Sequence, residues 1–314
     1  MANINWLGVY PALLTPFDAN DKIDFGMYKT NVDAQVSAGV DGIIIGGSLG
    51  ETSTLLSEEK RDLLVYSKGI VPASFPVIVN IAEQSTRVAV ELAQEAEANG
   101  ADGLMLLPPM RYKADDRETV AYFKAVAENT SLPILLYNNP VDYKIEITLD
   151  MFEQMLGNKN IQAVKESTRN TMNITRMLNR FGDRYKVLTG VDPIALECLM
   201  LGAHGWVAGL VDAFPRETVA IYRLVKAGRI DDAVAIYRWF MPLCELDIHP
   251  KLVQYIKLAA KATGLGTEYV RAPRLLLEGA ERTAVQKVID DALATRPELP
   301  DYLNLQNFPN AEWA

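Results

Sequence analysis

The chain has 314 residues, of which 49% are hydrophobic and 23% charged, and 31 Lys and Arg against 40 Asp and Glu give it a formal net charge of -9. That charge repels phosphate backbones and anionic lipid. No apolar run approaches the ~18–20 residues that cross a bilayer, and the N-terminus lacks the basic and apolar segments of an export signal. We therefore expect a folded cytoplasmic protein with neither a membrane nor a nucleic-acid partner.

Histidine and cysteine are scarce, and this scarcity limits the available chemistry. The two histidines, His204 and His249, are too few for a three-histidine zinc site. Neither lies where an active site is expected, which argues against a Ser-His-Asp or Cys-His arrangement. We interpret Cys198 and Cys244 as core residues rather than a disulfide framework. Proton transfer is expected to rest on Tyr, Lys, Ser, a carboxylate or water, with no metal.

Short apolar runs recur at eight places along the chain. Gly39, Gly100 and Gly202 each come shortly before such a run, which is typical of a helix that ends at a left-handed glycine and leads into a strand. Continuous rather than alternating hydrophobicity indicates parallel strands that are buried on both faces. The predicted strands are residues 8–14, 43–45, 75–81, 104–107, 132–137, 161–165, 186–190 and 206–208.

The spacers between these runs are long enough for one helix each. Ser57, for example, is predicted to cap a helix whose first turn carries Glu58 and Glu59. Eight alternating units predict an α/β protein with a (β/α)8 TIM barrel. A doubly wound sheet is the alternative, which the lack of a glycine-rich dinucleotide turn after the first strand disfavours.

From about residue 214 onward the pattern predicts only helices. We therefore expect a barrel that carries the catalytic site over residues 1–225, followed by a C-terminal helical extension over residues 226–314. The extension is expected to pack on the barrel, so that the chain forms one structural unit. The predicted helices in this part of the chain are residues 216–226, 231–240, 251–263 and 281–295.

Catalytic groups of such a barrel lie at the carboxyl ends of the strands, where Lys165 closes the sixth run. A lysine at this position has two interpretations. Its side chain can reach solvent or pair with Glu166, as lysines beside buried segments commonly do. Alternatively, a water-poor barrel mouth disfavours the ammonium and frees a nucleophile that forms a Schiff base with a carbonyl.

Two further segments lie at the same end of the predicted barrel. Tyr137 ends the fifth run, and because neighbouring strands lie ~4.8 Å apart, its phenol can approach the Lys165 amine and carry protons. The alternative is a tyrosine that anchors the turn at Asn139 and Pro140. Residues 46–52 form a glycine-rich loop after the second run. The loop either binds an anion such as a carboxylate through its backbone or is simply a tight turn.

Three motifs together resemble one known family in order and spacing. They are Gly-Gly-Ser-Leu-Gly-Glu-Thr after strand two, Tyr-Asn-Asn-Pro after strand five and Val-Lys-Glu-Ser after strand six. They are similar to the dihydrodipicolinate synthase / N-acetylneuraminate lyase family of class I Schiff-base lyases, and the resemblance covers nearly the whole chain. It implies a (β/α)8 barrel, usually a homotetramer, that binds a small 2-oxo acid as an imine without a metal or organic cofactor.

The resemblance also implies roles for individual residues. Lys165 would form the imine, Tyr137 would donate and accept protons, and the Ser48 hydroxyl would partner that tyrosine. Backbone N–H groups around Ser48 and Leu49 would hold the substrate carboxylate. The remaining predicted substrate contacts are Gly47, Gly190 and Val207.

Three departures separate the chain from family members that make dihydrodipicolinate. Leu49 replaces the second of two adjacent threonines, Asp142 stands where an arginine binds the carboxylate of the second substrate, and residues 109–112 replace a Pro-Tyr-Tyr loop that reaches the neighbouring subunit. An aspartate repels a carboxylate that an arginine would bind. We therefore expect a catabolic member of the family, with Arg111 and Arg216 as further candidate pocket residues.

The expected function is that of a Schiff-base-forming lyase that acts on a 2-oxo acid or its cyclic imine. Residues 205–209 and 213–217 resemble members that act on hydroxyproline-derived or sugar-derived acids. This resemblance implies a 1-pyrroline-4-hydroxy-2-carboxylate deaminase or a 2-keto-3-deoxy sugar acid aldolase or dehydratase. The alternatives are dihydrodipicolinate synthase or N-acetylneuraminate lyase activity, a metal-dependent lyase on the same barrel, and a non-catalytic barrel that binds 2-oxo acids.

Overall fold

Eight short strands form one parallel sheet in the computed structural model, which describes residues 4–305. The strands are β1 (Gly8–Pro11), β2 (Ile43–Ile45), β3 (Val77–Ile81), β4 (Gly103–Leu106), β5 (Ile134–Asn138), β6 (Ile161–Glu166), β7 (Lys186–Thr189) and β8 (Gly205–Ala208). β1 pairs with β8, and a bridge between Ala12 and Ile44 joins the end of β1 to β2. The sheet therefore closes into a barrel, and each strand overlaps one of the eight predicted runs.

At least one α-helix follows every strand, and three more complete the C-terminal part of the described chain. This alternation confirms the predicted (β/α)8 TIM barrel with additional C-terminal helices. The helices are α1 (Phe25–Ala38), α2 (Ser57–Ile70), α3 (Thr86–Ala98), α4 (Asp116–Ala127), α5 (Pro140–Tyr143), α6 (Leu149–Gln154), α7 (Met172–Phe181), α8 (Ala195–Met200), α9 (Pro215–Lys226), α10 (Ile230–Cys244), α11 (Leu252–Ala262) and α12 (Gly279–Ala294).

The three repeated glycines lie at helix ends, as predicted. Gly39, Gly100 and Gly202 have φ angles of 87°, 84° and 101°, in the left-handed region that glycine enters without steric cost. Each lies within the short connection between an outer helix and the next strand. These turns return the chain from the helical ring to the barrel.

The predicted cap of α2 is wrong by one residue. The helix begins at Ser57, and Leu56 occupies the N-cap position with extended backbone. The Glu59 carboxylate accepts a hydrogen bond from the Leu56 N–H at 2.9 Å. Glu59, in the acidic first turn, therefore provides the hydrogen-bond acceptor at the start of the helix, where a serine hydroxyl was predicted.

Helix α10 is hydrogen-bonded to the carboxyl end of the barrel through Tyr237. Its hydroxyl donates to the Asp192 carbonyl oxygen at 2.6 Å and accepts from the Ala195 N–H at 3.0 Å. The Asp192 carboxylate accepts in turn from the Trp206 indole at 2.9 Å and from the Leu210 N–H at 2.7 Å. The turns after β7 and β8 and the first helix of the extension thus share one buried network.

The predicted division into residues 1–225 and 226–314 stays a prediction. Residues 1–3 and 306–314 of these two segments lie outside the described residues. Across residues 4–305, no helix combines the length and the apolar character needed to span a membrane.

We expect Tyr237→Phe to lower the free energy of unfolding by about 1–3 kcal/mol, because it removes two buried hydrogen bonds to backbone groups. Urea denaturation followed by circular dichroism measures this change. Tyr112→Phe is the matched control, since Tyr112 is 57% exposed and should change stability little. Equal stability of the two variants would show that the Tyr237 hydroxyl does not tie α10 to the barrel.

Candidate active site

A cavity of about 70 Å³ lies at the carboxyl ends of the strands. The two arginines that sequence analysis singled out do not line it. Arg111 is exposed, and Arg216 lines a separate groove beside residues 299–303. Every other predicted site residue lines the cavity, namely Gly47, Ser48, Leu49, Tyr137, Lys165, Gly190 and Val207.

Lys165 and Tyr137 are direct neighbours on adjacent strands. The register of β5 and β6 pairs the two residues, and the Lys165 Nζ lies 4.2 Å from the centroid of the Tyr137 ring. Lys165 is only 6% exposed, so its side chain does not reach bulk solvent. The expected proximity of phenol and amine at the ends of the fifth and sixth strands is therefore confirmed.

Glu166 does not neutralise Lys165. The Glu166 carboxylate accepts hydrogen bonds from the Thr168 N–H at 2.8 Å and the Asn138 side-chain amide at 3.1 Å. Successive side chains of a strand point to opposite faces, which separates the two neighbours. Both alternatives for Lys165, a solvated lysine and a local ion pair with Glu166, are thus excluded.

Burial lowers the pKa of Lys165 from its ordinary value of 10.5. The charges of Asp247, Asp192 and Asp142 act in the opposite direction, because they favour the ammonium. Desolvation outweighs them, so Lys165 holds its proton less tightly than a solvated lysine does. An unprotonated amine is the form that can attack a carbonyl carbon.

Gly190 leaves room for the lysine. A Cβ atom at this position would lie 2.6 Å from both Cγ and Cε of Lys165 and 2.3 Å from the Ser167 hydroxyl. Real Cβ atoms do not approach other atoms this closely, so any larger residue would displace the amine. Gly190 therefore shapes the path along which Lys165 enters the cavity.

Ser48 contacts a different tyrosine from the one expected. Its hydroxyl is hydrogen-bonded to the Tyr143 hydroxyl, whereas the Tyr137 hydroxyl accepts from the Asn139 side-chain amide at 3.1 Å. The two tyrosine rings meet edge to face, with their centroids 5.6 Å apart. Tyr143 lies at the end of α5, beyond the positions just after the strands that sequence analysis inspected. The site thus holds two phenols beside the amine.

The glycine-rich loop is anchored by Glu51. This residue is fully buried with φ of 57°, and its carboxylate pairs with the Lys257 Nζ of α11 at 2.5 Å. It also accepts from the Arg271 N–H at 3.1 Å. The Asn80 side chain donates to the Gly46 carbonyl at 2.9 Å on the other side of the loop. The C-terminal helices therefore help to fix the loop beside the lysine.

Two further ionisable residues of the cavity were missed by sequence analysis. Asp247 lies in a 3-10 turn, Glu245–Ile248, between α10 and α11, and Arg169 follows β6 with a left-handed φ of 62°. Burial and the neighbouring Asp192 raise the pKa of Asp247 to about 8. Asp247 is so far in sequence from any strand end that no local sequence pattern indicates its position in the cavity. Asp142, which was noted only as a departure, also lines the cavity.

Both histidines lie outside the cavity, as expected. The His204 Nδ1 accepts from the Val187 N–H at 3.0 Å, and burial lowers its pKa to about 4. His249 stacks on Tyr255 with ring centroids 4.4 Å apart. Within the described range 4–305, no group of three or more His, Cys, Asp or Glu is arranged to hold a metal ion.

We expect Lys257→Met to lower the free energy of unfolding by about 3 kcal/mol, because it strands the buried Glu51 carboxylate. We expect the low end of the range of free energies for breaking a buried ion pair, because an Arg274 Nη1 remains 3.5 Å from the Glu51 carboxylate. Chemical denaturation measures the change. Introducing Glu51→Gln into the Lys257→Met variant removes the unpaired charge and should restore part of the lost stability. A double variant that is less stable than Lys257→Met would contradict this coupling.

The chain matches the Dihydrodipicolinate synthetase family over residues 5–292. It is 28% identical over 289 residues to the 4-hydroxy-tetrahydrodipicolinate synthase of Oceanobacillus iheyensis, covering 92% of this chain and 98% of the relative. Identity to the synthase of the same name from Parabacteroides distasonis is 32% over 250 residues, or 78% and 83% of the two chains.

The fold agrees with this assignment. The crystal structure of a dihydrodipicolinate synthase from Bacillus anthracis superposes with a TM-score of 0.87 at 28% identity, covering 92% of this chain and 99% of the other. The chain therefore belongs to the dihydrodipicolinate synthetase family, whose members are lyases that act through a lysine Schiff base.

Proposed function

We propose that Lys165 forms the Schiff base and that the substrate is a 2-oxo acid, or its cyclic imine, with a hydroxyl group beyond C3. The observation that carries this proposal is the burial of the Lys165 amine beside the Tyr137 ring at the carboxyl end of the barrel. The lowered pKa of Lys165 favours the unprotonated amine, which is the nucleophile.

The first chemical step is attack of the Lys165 amine on C2 of the substrate. A C–N bond forms, the carbonyl oxygen takes up a proton, and its later loss as water leaves the imine. Burial raises the pKa of Tyr137 above its ordinary value of 10.0, so its phenol is neutral and suited to donate that proton. The cationic imine then withdraws electrons from C3, which makes the C3 proton acidic and the C3–C4 bond cleavable.

The glycine-rich loop supplies the carboxylate site in this proposal. Among the described residues, neither the Ser48 nor the Leu49 backbone N–H donates a hydrogen bond to the protein, and both residues line the cavity. Two free donors beside the amine suit the C1 carboxylate of a 2-oxo acid. The buried Glu51 anchor holds them in place before the substrate arrives.

The charge of the cavity argues for a hydroxylated substrate. Asp142 and Asp247 line the cavity, where a carboxyl group can accept a hydrogen bond from a substrate hydroxyl or donate one to it, and an ionised carboxyl group repels a second carboxylate. We therefore propose 1-pyrroline-4-hydroxy-2-carboxylate deamination, or dehydration or aldol cleavage of a 2-keto-3-deoxy sugar acid. Dihydrodipicolinate synthase activity is the second candidate, favoured by Arg169 as a cation lining the cavity and by the names of the relatives.

We also propose, from the resemblance alone, that the chain forms a homotetramer. Tyr143 of the same chain already meets the Ser48 hydroxyl. The site proposed here accordingly draws its two phenols from one chain, without a tyrosine from a neighbour.

Borohydride reduction in the presence of pyruvate should attach the acid covalently to Lys165, with the modified peptide identified by mass spectrometry. Lys165→Met should abolish the adduct. Lys226→Met is the matched control, because Lys226 is half-buried, has a pKa that burial also lowers, to about 8, and donates to the Ala203 carbonyl, away from the cavity. Unmodified Lys165 in the wild type, with ligand binding intact in Lys165→Met, would favour a non-catalytic barrel.

A panel of hydroxylated 2-oxo acids and 1-pyrroline-4-hydroxy-2-carboxylate identifies the reaction. Release of ammonia without pyruvate selects the deaminase, release of pyruvate selects an aldolase, and an unsaturated or dioxo product alone selects a dehydratase. Turnover only with pyruvate and an amino-aldehyde substrate would select the synthase instead.

Tyr137→Phe should lower kcat by about 10² to 10⁴ and leave the fold unchanged, because it removes a proton-transferring hydroxyl and keeps the ring. Steady-state kinetics on the best substrate of the panel measures the effect. Tyr269→Phe, at a position that is 39% exposed, serves as the control. A wild-type kcat in Tyr137→Phe would assign the proton transfer to another group.

A further inference from the structure

We propose that Asp247 is a catalytic acid that protonates the hydroxyl group leaving C4 of the imine-bound substrate. This proposal rests on the function proposed above and assigns its dehydration step to a residue of the C-terminal extension. The geometry that points to it is the position of Asp247 in the cavity that holds Lys165 and the two tyrosines, against the turns after β7 and β8.

Asp247 is held over the ends of β7 and β8. Its Oδ2 accepts from the Asp192 N–H at 3.4 Å, and a Cβ atom on Gly209 would lie 2.4 Å from its Oδ1. The bare glycine after β8 therefore admits the carboxyl group. Lys165 on β6 lies between this carboxyl group and Tyr137 on β5, because the strand order is β5, β6, β7, β8.

This placement separates two proton transfers in space. A substrate joined to Lys165 through C2 would present C3 and C4 to groups on both flanks of the amine. The phenols on the β5 side suit the proton of C3, and Asp247 on the β7 and β8 side suits the C4 hydroxyl. Proton-transferring groups on only one side of Lys165 could not serve C3 and the C4 hydroxyl separately.

The charged groups that face Asp247 favour its neutral form. Asp192, on the turn after β7, and burial raise its pKa to about 8, whereas Lys165 on β6 and Arg169 beyond β6 lower it. At neutral pH Asp247 therefore carries a proton that it can donate. Above pH 8 the carboxylate predominates and the acid is lost.

The elimination balances without a further reactant. The Tyr137 phenolate, which remains after the phenol has protonated the departing water of imine formation, removes the C3 proton, and the electron pair of the C3–H bond enters the imine to give an enamine. The enamine then re-forms the C2–N double bond, its electrons make the C3–C4 double bond, and the C4–O bond breaks as Asp247 donates its proton. Water leaves, Tyr137 keeps the C3 proton as a neutral phenol, and hydrolysis of the cationic product imine releases the proton that returns Asp247 to its acid form.

The competing explanation is that Asp247 only positions Lys165 through their charge attraction. The two roles differ in their dependence on the leaving group. A positioning residue would affect imine formation with every acid, including pyruvate, which has no C4. A catalytic acid would affect only the departure of hydroxide, and fluoride, which leaves without a proton, would bypass it.

The experiment compares wild type, Asp247→Asn and the control Glu245→Gln, an exposed residue of the same turn. We expect Asp247→Asn to form the pyruvate adduct at the wild-type rate but to dehydrate the best 4-hydroxy-2-oxo acid about 10² to 10⁴ times more slowly. The 4-fluoro analogue should restore elimination to near the wild-type rate. Glu245→Gln should match wild type with all three compounds.

A second measurement needs only the wild type. Dehydration of the 4-hydroxy acid should fall as pH rises through about 8, and elimination of fluoride should not. Absence of any pyruvate adduct in wild type would refute the proposed function itself. An adduct without dehydration of any 4-hydroxy acid, a wild-type dehydration rate in Asp247→Asn, or a parallel loss of its pyruvate adduct would each overturn the role of Asp247 alone.

Discussion

The chemistry proposed for this protein depends on one interaction that is absent, the hydration of the Lys165 amine. Lys165 is placed at the end of β6, where the barrel closes around it and desolvation disfavours its charge. The charges of nearby carboxyl groups act in the opposite direction and favour the ammonium. The same burial raises the pKa values of Asp192 and Asp247, so it opposes the charge of these carboxyl groups as it opposes the charge of the amine.

The C-terminal extension contributes directly to this environment. Helix α11 supplies Lys257, which pairs with the buried Glu51 of the glycine-rich loop. Helix α10 supplies Tyr237, which ties down the turn after β7, and the segment between the two helices places Asp247 in the cavity. The barrel strands thus position the lysine and one phenol, while the extension fixes the loop and sets the charge of the opposite wall.

Sequence patterns predicted the elements of the fold that repeat along the chain and the contacts that follow from neighbouring strands. The eight strands and the glycine turns follow from regular alternation, and the meeting of Tyr137 with Lys165 follows from adjacent strand ends. The hydrogen-bond partner of Ser48 could not be predicted, because the path of α5 brings Tyr143 to the cavity and no periodic pattern in the sequence indicates that path. Asp247 reaches the site through packing of the extension, more than eighty residues beyond Lys165 in sequence. The predicted cap of α2 was wrong because Ser57 is already the first helical residue, with Leu56 at the N-cap and the Glu59 carboxylate bound to the Leu56 N–H.

The most direct test of this account is the pH dependence of Lys165 acylation by a small neutral reagent, measured by mass spectrometry of the labelled peptide. The exposed Lys287 of the same molecule provides the internal reference. The account predicts that the labelling rate of Lys165 reaches half of its maximum at a pH clearly below that of Lys287. Equal midpoints, or a higher one for Lys165, would show that burial does not free the amine and would contradict the proposed chemistry.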